Sequence, residues 1–420
     1  MFKTMLEMME QQSAPAVEAG SAGALWVNEW ARLFRKAFEP DQKVVYTSVY
    51  AFPMELIAAF DVVPFDFEVA GAMISSTEMG VPTMKEAEDR GYAMDVCSFH
   101  RAALGAAYKD YLPVPDLLVT TSYYCDQKSK TNELLSVLHG REAFLLYAPS
   151  EINRDSVSYV EKQLRQAARK LSEVAGHELD EDRLKEAIRS SNRARKSHLK
   201  LLDVLKHRPA PWGGSQLIGF SINGHLFTGT KVKEKFNEAF IAQLENRIDA
   251  GKLRPEKHRI YWFAWLPVYE SCLYDVLKAN LVSIPLCETF RVYWDEIDED
   301  NPFEGLALKC LKNTFVGPIT RRTDEMDRII EEYNIDGALL FATPACRHAN
   351  TGYRFLKDFL AKRGLPFLLL DMDISDPRGY SPEQIKTRIE GFIEVLEQRK
   401  QAPNEIESAA EKKYKGGMKS

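Results

Sequence analysis

The chain has 420 residues, of which 45% are hydrophobic and 28% charged. This composition is typical of a globular protein, and the length is sufficient for two or three domains. Its 55 basic and 61 acidic side chains give a net charge of −6, which argues against nucleic acid or an anionic membrane surface as a partner.

The amino terminus carries Glu7 and Glu10 where a secretory signal would need an unbroken apolar segment. No apolar run reaches the roughly 18 to 20 residues that span a bilayer. We therefore predict a cytoplasmic location. Structural disulfides are disfavoured there, so that cysteines are expected to be buried, catalytic or metal-bound.

The predicted elements begin with a helical arm over residues 1–40, where apolar side chains recur near helical spacing among charged positions. Short apolar runs then alternate with amphipathic segments. This pattern predicts strands at 44–47, 62–65, 117–121 and 143–147, and helices at 54–60, 83–109 and 132–138. Alternation of this kind is typical of a doubly wound parallel sheet, so we predict a first α/β domain at 41–150.

A highly charged helical segment follows at 151–207 and ends at a proline-rich stop, which predicts a helical insert or bridge at 151–215. The alternation then resumes with strands at 259–264, 281–284, 338–341 and 366–370, and with helices at 269–279, 322–333, 352–362 and 382–399. We assign 216–400 to a second α/β domain and 401–420 to a flexible tail. The fold class predicted from the pattern is therefore α/β, with two parallel sheets.

Six cysteines are scattered through the chain, and no two of them form a C-x-x-C pair. They are Cys97, Cys125, Cys272, Cys287, Cys310 and Cys346. Cys125, Cys272 and Cys346 follow predicted strands closely, and in an open parallel sheet ligands collect at the carboxyl ends of the strands. The scatter favours a metal cluster that the fold assembles over one that a local motif assembles.

The thiols have other conceivable roles. Free cysteine is often buried. Cys287 and Cys310 lie in apolar runs, so each of them is either a buried core residue or a metal ligand. Structural zinc usually uses close-spaced pairs. A nucleophile needs a base, and Cys346 with His348 is the best candidate pair. Iron–sulfur clusters need thiolates and tolerate any spacing that the fold can bring together.

Two further features bear on the site. Basic residues near the cysteines, Arg101, Lys128 and Arg347, would lower thiol pKa values and offset cluster charge. The segments 116–125 and 336–346 each contain an acid, an apolar strand, a turn with Ser or Thr, and a cysteine, which indicates two similar lobes facing one cleft. The aromatic run 261–267 is interpreted as a buried strand in preference to a substrate wall.

The nucleotide-binding motifs G-x-x-x-x-G-K-[ST] and G-x-G-x-x-G after the first strand do not occur in the sequence, which argues against ATP or NAD binding in those modes.

With the cysteines placed, the chain resembles the 2-hydroxyacyl-CoA dehydratase and benzoyl-CoA reductase superfamily over roughly residues 40–400. The resemblance is carried by residues 95–99, by the strands that precede Cys125 and Cys346, by 174–184 in the insert, and by 371–378. It implies two Rossmann-like (flavodoxin-like) domains that hold an iron–sulfur cluster on Cys97, Cys125 and Cys346. It also implies a separate ATP-hydrolysing iron–sulfur protein that supplies low-potential electrons.

A cubane held by three thiolates leaves Cys272, Cys287 and Cys310 without a role. One branch of the superfamily, the double-cubane cluster proteins, needs six thiolates for two sulfide-bridged 4Fe-4S cubanes. Because the count matches, we predict an oxygen-sensitive, homodimeric reductase of small molecules. One alternative is a single-cubane subunit of a 2-hydroxyacyl-CoA dehydratase or benzoyl-CoA reductase. The other is a non-enzymatic, two-lobed binding protein.

Protons must follow the electrons in a reduction of this type. His100, His348 and Lys128 lie close in sequence to the cysteines of the firmer set and are the predicted catalytic proton donors.

Overall fold

The structure, a computed structural model, describes residues 1–48, 50, 52–213, 217, 220, 224–291 and 294–416, with side chains to residue 401. Its described part contains two four-stranded parallel sheets with helices around them. The α/β prediction is therefore confirmed. No helix in the described ranges is both long enough and apolar enough to cross a membrane.

The first sheet is built from strands β1–β4, in the order β2-β1-β3-β4, and every pair is parallel. The strands are β1 (Val44–Thr47), β2 (Val63–Asp66), β3 (Leu117–Thr121) and β4 (Glu142–Leu146). β1 and β3 are buried along their whole length, as expected for inner strands covered on both faces. The strand order reverses at β1, so a crevice opens beyond the carboxyl ends of β1 and β3.

The second sheet repeats this plan with strands β5–β8 in the order β6-β5-β7-β8. The strands are β5 (His258–Phe263), β6 (Val282–Ser283), β7 (Gly337–Ala342) and β8 (Phe367–Asp371). We call the units around the two sheets the first and second lobes. Because the order is the same in both, each lobe has its crevice at the equivalent place.

One pair of aspartates plays the same role in both lobes. Asp116 accepts a hydrogen bond of 2.8 Å from the backbone N–H of Val44, and Asp336 accepts one of 2.8 Å from that of Arg259. Each aspartate stands just before the third strand of its lobe and fixes the start of the neighbouring central strand. The echo between segments 116–125 and 336–346 therefore corresponds to one structural unit used twice.

The helices before and within the first lobe are α1 (Phe2–Glu18), α2 (Ala22–Lys36), α3 (Met54–Ala58), α4 (Phe67–Ser75), α5 (Gly80–Asp89), α6 (Ser98–Tyr108) and α7 (Asp126–His139). The predicted arm is helical but consists of two helices, because Ser21 caps α2 by accepting the N–H of Ala24. The ring of Phe34 packs 4.5 Å from that of Phe65, which fixes the arm to the first lobe.

The prediction of one continuous helix over residues 83–109 is wrong for residues 90–97, which separate two helices. Helix α5 ends before Gly91, whose φ of 94° is unsuited to a helix, and α6 begins after Cys97. Two glycines let α6 approach its neighbours closely. A Cβ on Gly105 would lie 1.8 Å from the carbonyl oxygen of Thr83, and one on Gly71 would lie 2.3 Å from that of Phe99. These contacts position the start of α6, and Cys97 with it.

The remaining helices are α8 (Arg154–Ala175), α9 (Glu181–Val204), α10 (Lys231–Asp249), α11 (Leu273–Ala279), α12 (Pro302–Leu311), α13 (Thr320–Glu332), α14 (Arg347–Asn350), α15 (Tyr353–Lys362) and α16 (Pro382–Gly416). The predicted single helix 151–207 is two helices, because Gly176 (φ 76°) ends α8 and Asp180 caps α9. Helix α10 packs against α9 and α2. Helix α16 continues into the predicted tail, where Glu, Ala and Lys favour helix.

Candidate functional site

A cavity lies between the lobes, beyond the carboxyl ends of their central strands, and its empty space, counted together with its opening to solvent, is about 1340 Å³. Three of the six cysteines, Cys97, Cys125 and Cys346, line it. Cys125 follows β3 and Cys346 follows β7, so equivalent positions of the two sheets face the same space. We call this the thiol cavity. Its place agrees with the rule that ligands in open α/β sheets bind where the strand order reverses.

Each of these cysteines is the N-cap residue of a helix. Cys97 precedes α6, Cys125 precedes α7 and Cys346 precedes the short α14. The residue before Cys125, Tyr124, has a left-handed backbone with φ of 75°, an unusual conformation for a tyrosine that redirects the chain between strand and helix. A thiolate at a helix start lies near unpaired N–H groups, which favour negative charge.

The thiols influence one another electrostatically. Burial raises the pKa of Cys97 well above its usual value, and Cys125 and Cys346 raise it further. Burial also raises the pKa of Cys346 to about 12, with a further contribution from Cys125. The thiolate forms of Cys97 and Cys346 are therefore disfavoured in this cavity, and a cationic partner would stabilise them.

The other three cysteines are not among the described residues that line this cavity. The Cys272 thiol donates to the carbonyl oxygen of Pro382 at 3.5 Å. Cys287 is fully buried, with its sulfur 3.6 Å from the Thr289 hydroxyl. Cys310 is buried and hydrogen-bonded to Tyr123. The structure thus brings one set of three predicted ligands together and leaves the second set apart from it.

His100 is placed beside the thiols. Its Nε2 lies 2.9 Å from Glu68 Oε1, and ligand atoms of Glu68, His100 and Cys125 all lie within 4.8 Å of one another. Burial alone would lower the pKa of His100, but Glu68 and Cys125 raise it to about 9. Glu68 was not predicted as a site residue, since nothing in its sequence neighbourhood, inside the missed helix α4, distinguishes it.

The two other predicted proton donors have different surroundings. The Lys128 ammonium is fully buried 4.8 Å from the centre of the Tyr124 ring, and burial lowers its pKa. The His348 ring lines the cavity and stacks on Tyr124 at 5.5 Å. Burial, with Arg322 and Lys128, lowers the pKa of His348 to about 4. His348 is therefore neutral at pH 7, whereas His100 carries a proton.

An ion pair that no sequence pattern indicated borders the cavity. Arg322 donates two hydrogen bonds, of 2.7 and 2.9 Å, to the Glu288 carboxylate, which is 2% exposed. Glu288 also accepts the N–H of Ala264, a residue in left-handed conformation (φ 60°) at the end of β5. Burial opposes ionisation of Glu288, but Arg322 outweighs it and lowers the pKa.

Aromatic side chains supply much of the remaining lining, from Tyr124, Trp265 and Phe315. The run 261–267 divides between two roles, since Tyr261, Trp262 and Phe263 are buried in β5 whereas Trp265 reaches the cavity. The prediction of a buried strand is confirmed for the first part of the run. Such rings exclude water and strengthen electrostatic interactions in the site.

The segment 371–378 closes the site from the second lobe. Asp373 accepts a hydrogen bond of 2.5 Å from Ser98, which follows Cys97. Arg101 and Arg378 both pair with Glu88 and with Asp376. These four residues form an interlobe clasp. Arg101, expected to neutralise thiolates, is instead committed to this clasp, because two carboxylates lie within its reach.

The segment 174–184 lies away from the cavity and turns the chain between α8 and α9. There Asp180 caps α9, and Arg183 pairs with Asp61 of the first lobe at 2.8 Å. The role of this segment, which is part of the family resemblance, is therefore to cap a helix and to dock the insert on the first lobe.

The family model described as "2-hydroxyglutaryl-CoA dehydratase, D-component" matches residues 49–396, which include the whole thiol cavity. The chain belongs to this family. The predicted superfamily is thereby confirmed.

Individual relatives align with most of this chain. A benzoyl-CoA reductase subunit of Thauera aromatica is 26% identical, over 86% of this chain and 90% of its own. The alpha subunit of (R)-2-hydroxyisocaproyl-CoA dehydratase of Clostridioides difficile is 25% identical, over 90% and 95%. The alpha subunit of (R)-2-hydroxyglutaryl-CoA dehydratase of Acidaminococcus fermentans is 26% identical, over 68% of this chain and 61% of its own.

Proposed function

We propose that the chain is a subunit of an enzyme of the 2-hydroxyacyl-CoA dehydratase or benzoyl-CoA reductase type, and that it holds a 4Fe-4S cluster on Cys97, Cys125 and Cys346. The observation that carries the proposal is that these three thiols, from both lobes, line one cavity at the reversal point of each sheet. The names of the relatives, dehydratase and reductase subunits, support the reaction class.

The donor set fits such a cluster. Thiolates are its usual ligands, and three of them leave one iron without a protein ligand. The raised pKa values of Cys97 and Cys346 indicate a site that needs positive charge to be stable. When bound, the cluster would supply electrons at low potential and a coordination position for a substrate.

The chain's own side chains would handle protons and exclude water. His100, held by Glu68 at 2.9 Å, is placed to deliver a proton beside Cys125. His348 and Lys128 remain proposed catalytic residues, with His348 acting through its neutral ring. Tyr124, Trp265 and the buried Glu288–Arg322 pair line the cavity beside these groups.

The electrons would come from a separate ATP-hydrolysing iron–sulfur protein, and a substrate would bind as a small molecule in the cavity. The relatives are named as subunits, which supports assembly with a second chain, either a dissimilar subunit or a second copy. We propose the dissimilar subunit for the single-cubane form and the homodimer for the double-cubane form.

The double-cubane reductase is the second candidate, and the count of six cysteines favours it. It needs Cys272, Cys287 and Cys310 as ligands as well. In the described residues these thiols have other partners, and Cys310 lines a different cavity. The single cluster needs only the three thiols that line the thiol cavity.

The test is to purify the protein without oxygen and to measure iron and acid-labile sulfide, with an electron paramagnetic resonance spectrum after reduction. We expect about four irons per chain. Cys97→Ser, Cys125→Ser and Cys346→Ser should each lose most of this iron, whereas the matched controls Cys272→Ser and Cys310→Ser should keep it.

About eight irons, with loss in the two control variants, would instead establish the double cubane. A colourless, iron-free protein would reject both and favour a two-lobed binding protein without a cluster.

A further inference from the structure

A second cavity adjoins the thiol cavity, and its empty space, counted together with its opening to solvent, is about 830 Å³. Thr289 lines both, and the ring of Tyr50 in the second cavity packs 5.4 Å from that of Tyr124 in the first. Helices α9 and α10 contribute its outer wall through His198 and Lys233. Of the predicted site residues, Cys310 alone is among the described residues that line this second cavity.

The lining of the second cavity combines apolar rings with positive charge. Its aromatic members include Tyr50, Phe52, Phe290 and Trp294, and its cations are Arg195, Lys233, Arg291 and Lys309. The described residues that line it include no aspartate or glutamate. A cavity with this lining suits a ligand with an apolar body and a negatively charged end.

Three of the four cations are already engaged. Lys309 pairs with the buried Glu55, and the Nε of Arg195 donates to the carbonyl oxygen of Trp294 at 2.7 Å. The Nε of Arg291 donates to the carbonyl oxygen of Glu288 at 2.8 Å. The Nη1 of Arg291, however, makes no hydrogen bond within the described part of the chain, although its side chain is 2% exposed.

Lys233 differs, because no described carboxylate pairs with it. Its ammonium lies 5.7 Å and 5.6 Å from the ring centres of Trp26 and Phe236. Gly224 makes room for it, since a Cβ there would lie 2.6 Å from Nζ. Burial lowers the pKa of Lys233 to about 8, so that the side chain is still mostly protonated at pH 7.

Lys233 is half-buried. A partly desolvated cation without a counter-ion costs folding free energy, and an anion bound beside it reduces that cost. We propose that the second cavity binds a small organic anion whose carboxylate pairs with Lys233 and whose carbon chain lies among the aromatic rings. The proposal depends on the lining of this cavity and not on the presence of a cluster.

The test is calorimetric titration of the full-length protein with isovalerate and with its uncharged counterpart isovaleramide. We expect the wild-type protein to bind isovalerate and to prefer it over the amide. Lys233→Met should weaken isovalerate binding at least about tenfold and leave the weak amide binding unchanged. Lys235→Met, at an exposed position of the same helix, is the matched control and should bind as the wild type does.

Lys233→Met keeps the apolar stem and removes an unpaired charge, so its melting temperature should not fall. Lys233→Arg keeps the positive charge and should therefore still bind the anion. This variant provides a second test of the charge if Lys233→Met does not fold. The proposal is overturned if no carboxylate binds up to millimolar concentration, or if isovalerate binds equally to the wild-type protein and to Lys233→Met.

The carboxylate could belong to a free acid or to the far end of a thioester's acyl chain. Glutaryl-CoA and butyryl-CoA differ in that terminal carboxylate. A preference for glutaryl-CoA that disappears in Lys233→Met would assign the cavity to the acyl chain. Equal, Lys233-independent binding of the two thioesters, with Lys233-dependent binding of isovalerate, would assign it to a free acid. Iron content measured on the same variants separates this test from that of the cluster.

Discussion

Arg101 of the first lobe and Asp376 of the second form a buried ion pair, with Nη2 and Oδ2 3.1 Å apart and the guanidinium 1% exposed. Arg101 lies one helical turn after Cys97, and Asp376 follows the segment that hydrogen-bonds Ser98. The contact that joins the lobes therefore also fixes the position of one thiol of the cavity. Binding of the proposed cluster and docking of the lobes should therefore be coupled.

Replacing Arg101 with methionine should lower the free energy of unfolding by about 3 kcal/mol, because Glu88 and Asp376 would keep their burial with one cation fewer. Urea denaturation of the purified protein measures this loss. The matched control is Lys85→Met, which breaks the exposed pair with Asp89 and should cost less than about 1 kcal/mol. Equal losses for both variants would contradict a clasp.

Gly105→Ala should destabilise the protein by about 3 kcal/mol or more, because the new methyl group would meet the carbonyl oxygen of Thr83 at 1.8 Å. Helix α6 would shift and carry Cys97 with it, so that iron content should fall too. Gly391→Ala is the control, since that helical glycine has open space around its Cβ position and should gain up to about 1 kcal/mol. Thermal unfolding and iron analysis of both variants test this.

His198 should make stability depend on pH. Burial, aided by Lys233, lowers the pKa of this histidine to about 3, from a usual value of 6.5. Below pH 6.5 the unfolded chain takes up a proton that the folded one does not, so stability present above pH 6.5 is lost as the pH falls toward 3. The loss from this group between pH 7 and pH 5 is about 2 kcal/mol.

His198→Gln should remove that part of the slope while keeping a donor to the carbonyl oxygen of Phe290. The measurement is urea denaturation at pH 7 and pH 5. An unchanged slope in His198→Gln would mean that this ring is solvated in the folded protein.

His100→Gln should lower turnover about 100-fold while leaving the iron content unchanged, because the ring is placed to move a proton and is not itself a proposed ligand. Glu68→Gln should have a similar effect, since Glu68 holds the ring at 2.9 Å. The rates should be measured with the proposed ATP-hydrolysing iron–sulfur protein and second subunit present. The trial substrates are those named for the relatives, (R)-2-hydroxyisocaproyl-CoA, (R)-2-hydroxyglutaryl-CoA and benzoyl-CoA.

The control for the histidine variants is His207→Gln, which lies outside both cavities and should retain full turnover. A larger effect of His348→Gln than of His100→Gln would move the proton-donating role to His348.

The strand-and-helix alternation was sufficient to predict the α/β fold. The predicted strands 117–121 and 338–341 fall within β3 and β7, and the cysteine that follows each lies at the edge where open parallel sheets generally bind ligands. Such predictions succeed because they depend on local periodicity and on a general rule of parallel sheets. Helix ends marked by single glycines, at Gly91 and Gly176, were missed because amphipathic spacing continues on both sides of them.

The sequence by itself determined that thiols stand at strand ends in two similar lobes, because each strand and the cysteine that follows it are adjacent along the chain. The family resemblance implied that Cys97, Cys125 and Cys346 act together, and the tertiary structure places all three in one cavity. Only the tertiary structure showed that Glu68, Glu288 and Arg322 surround it. It also showed that Arg101 belongs to the interlobe clasp and that Lys233 lines the second cavity. These relationships join residues that are distant along the chain, and they depend on how the two lobes dock, for which no local pattern gives a signal.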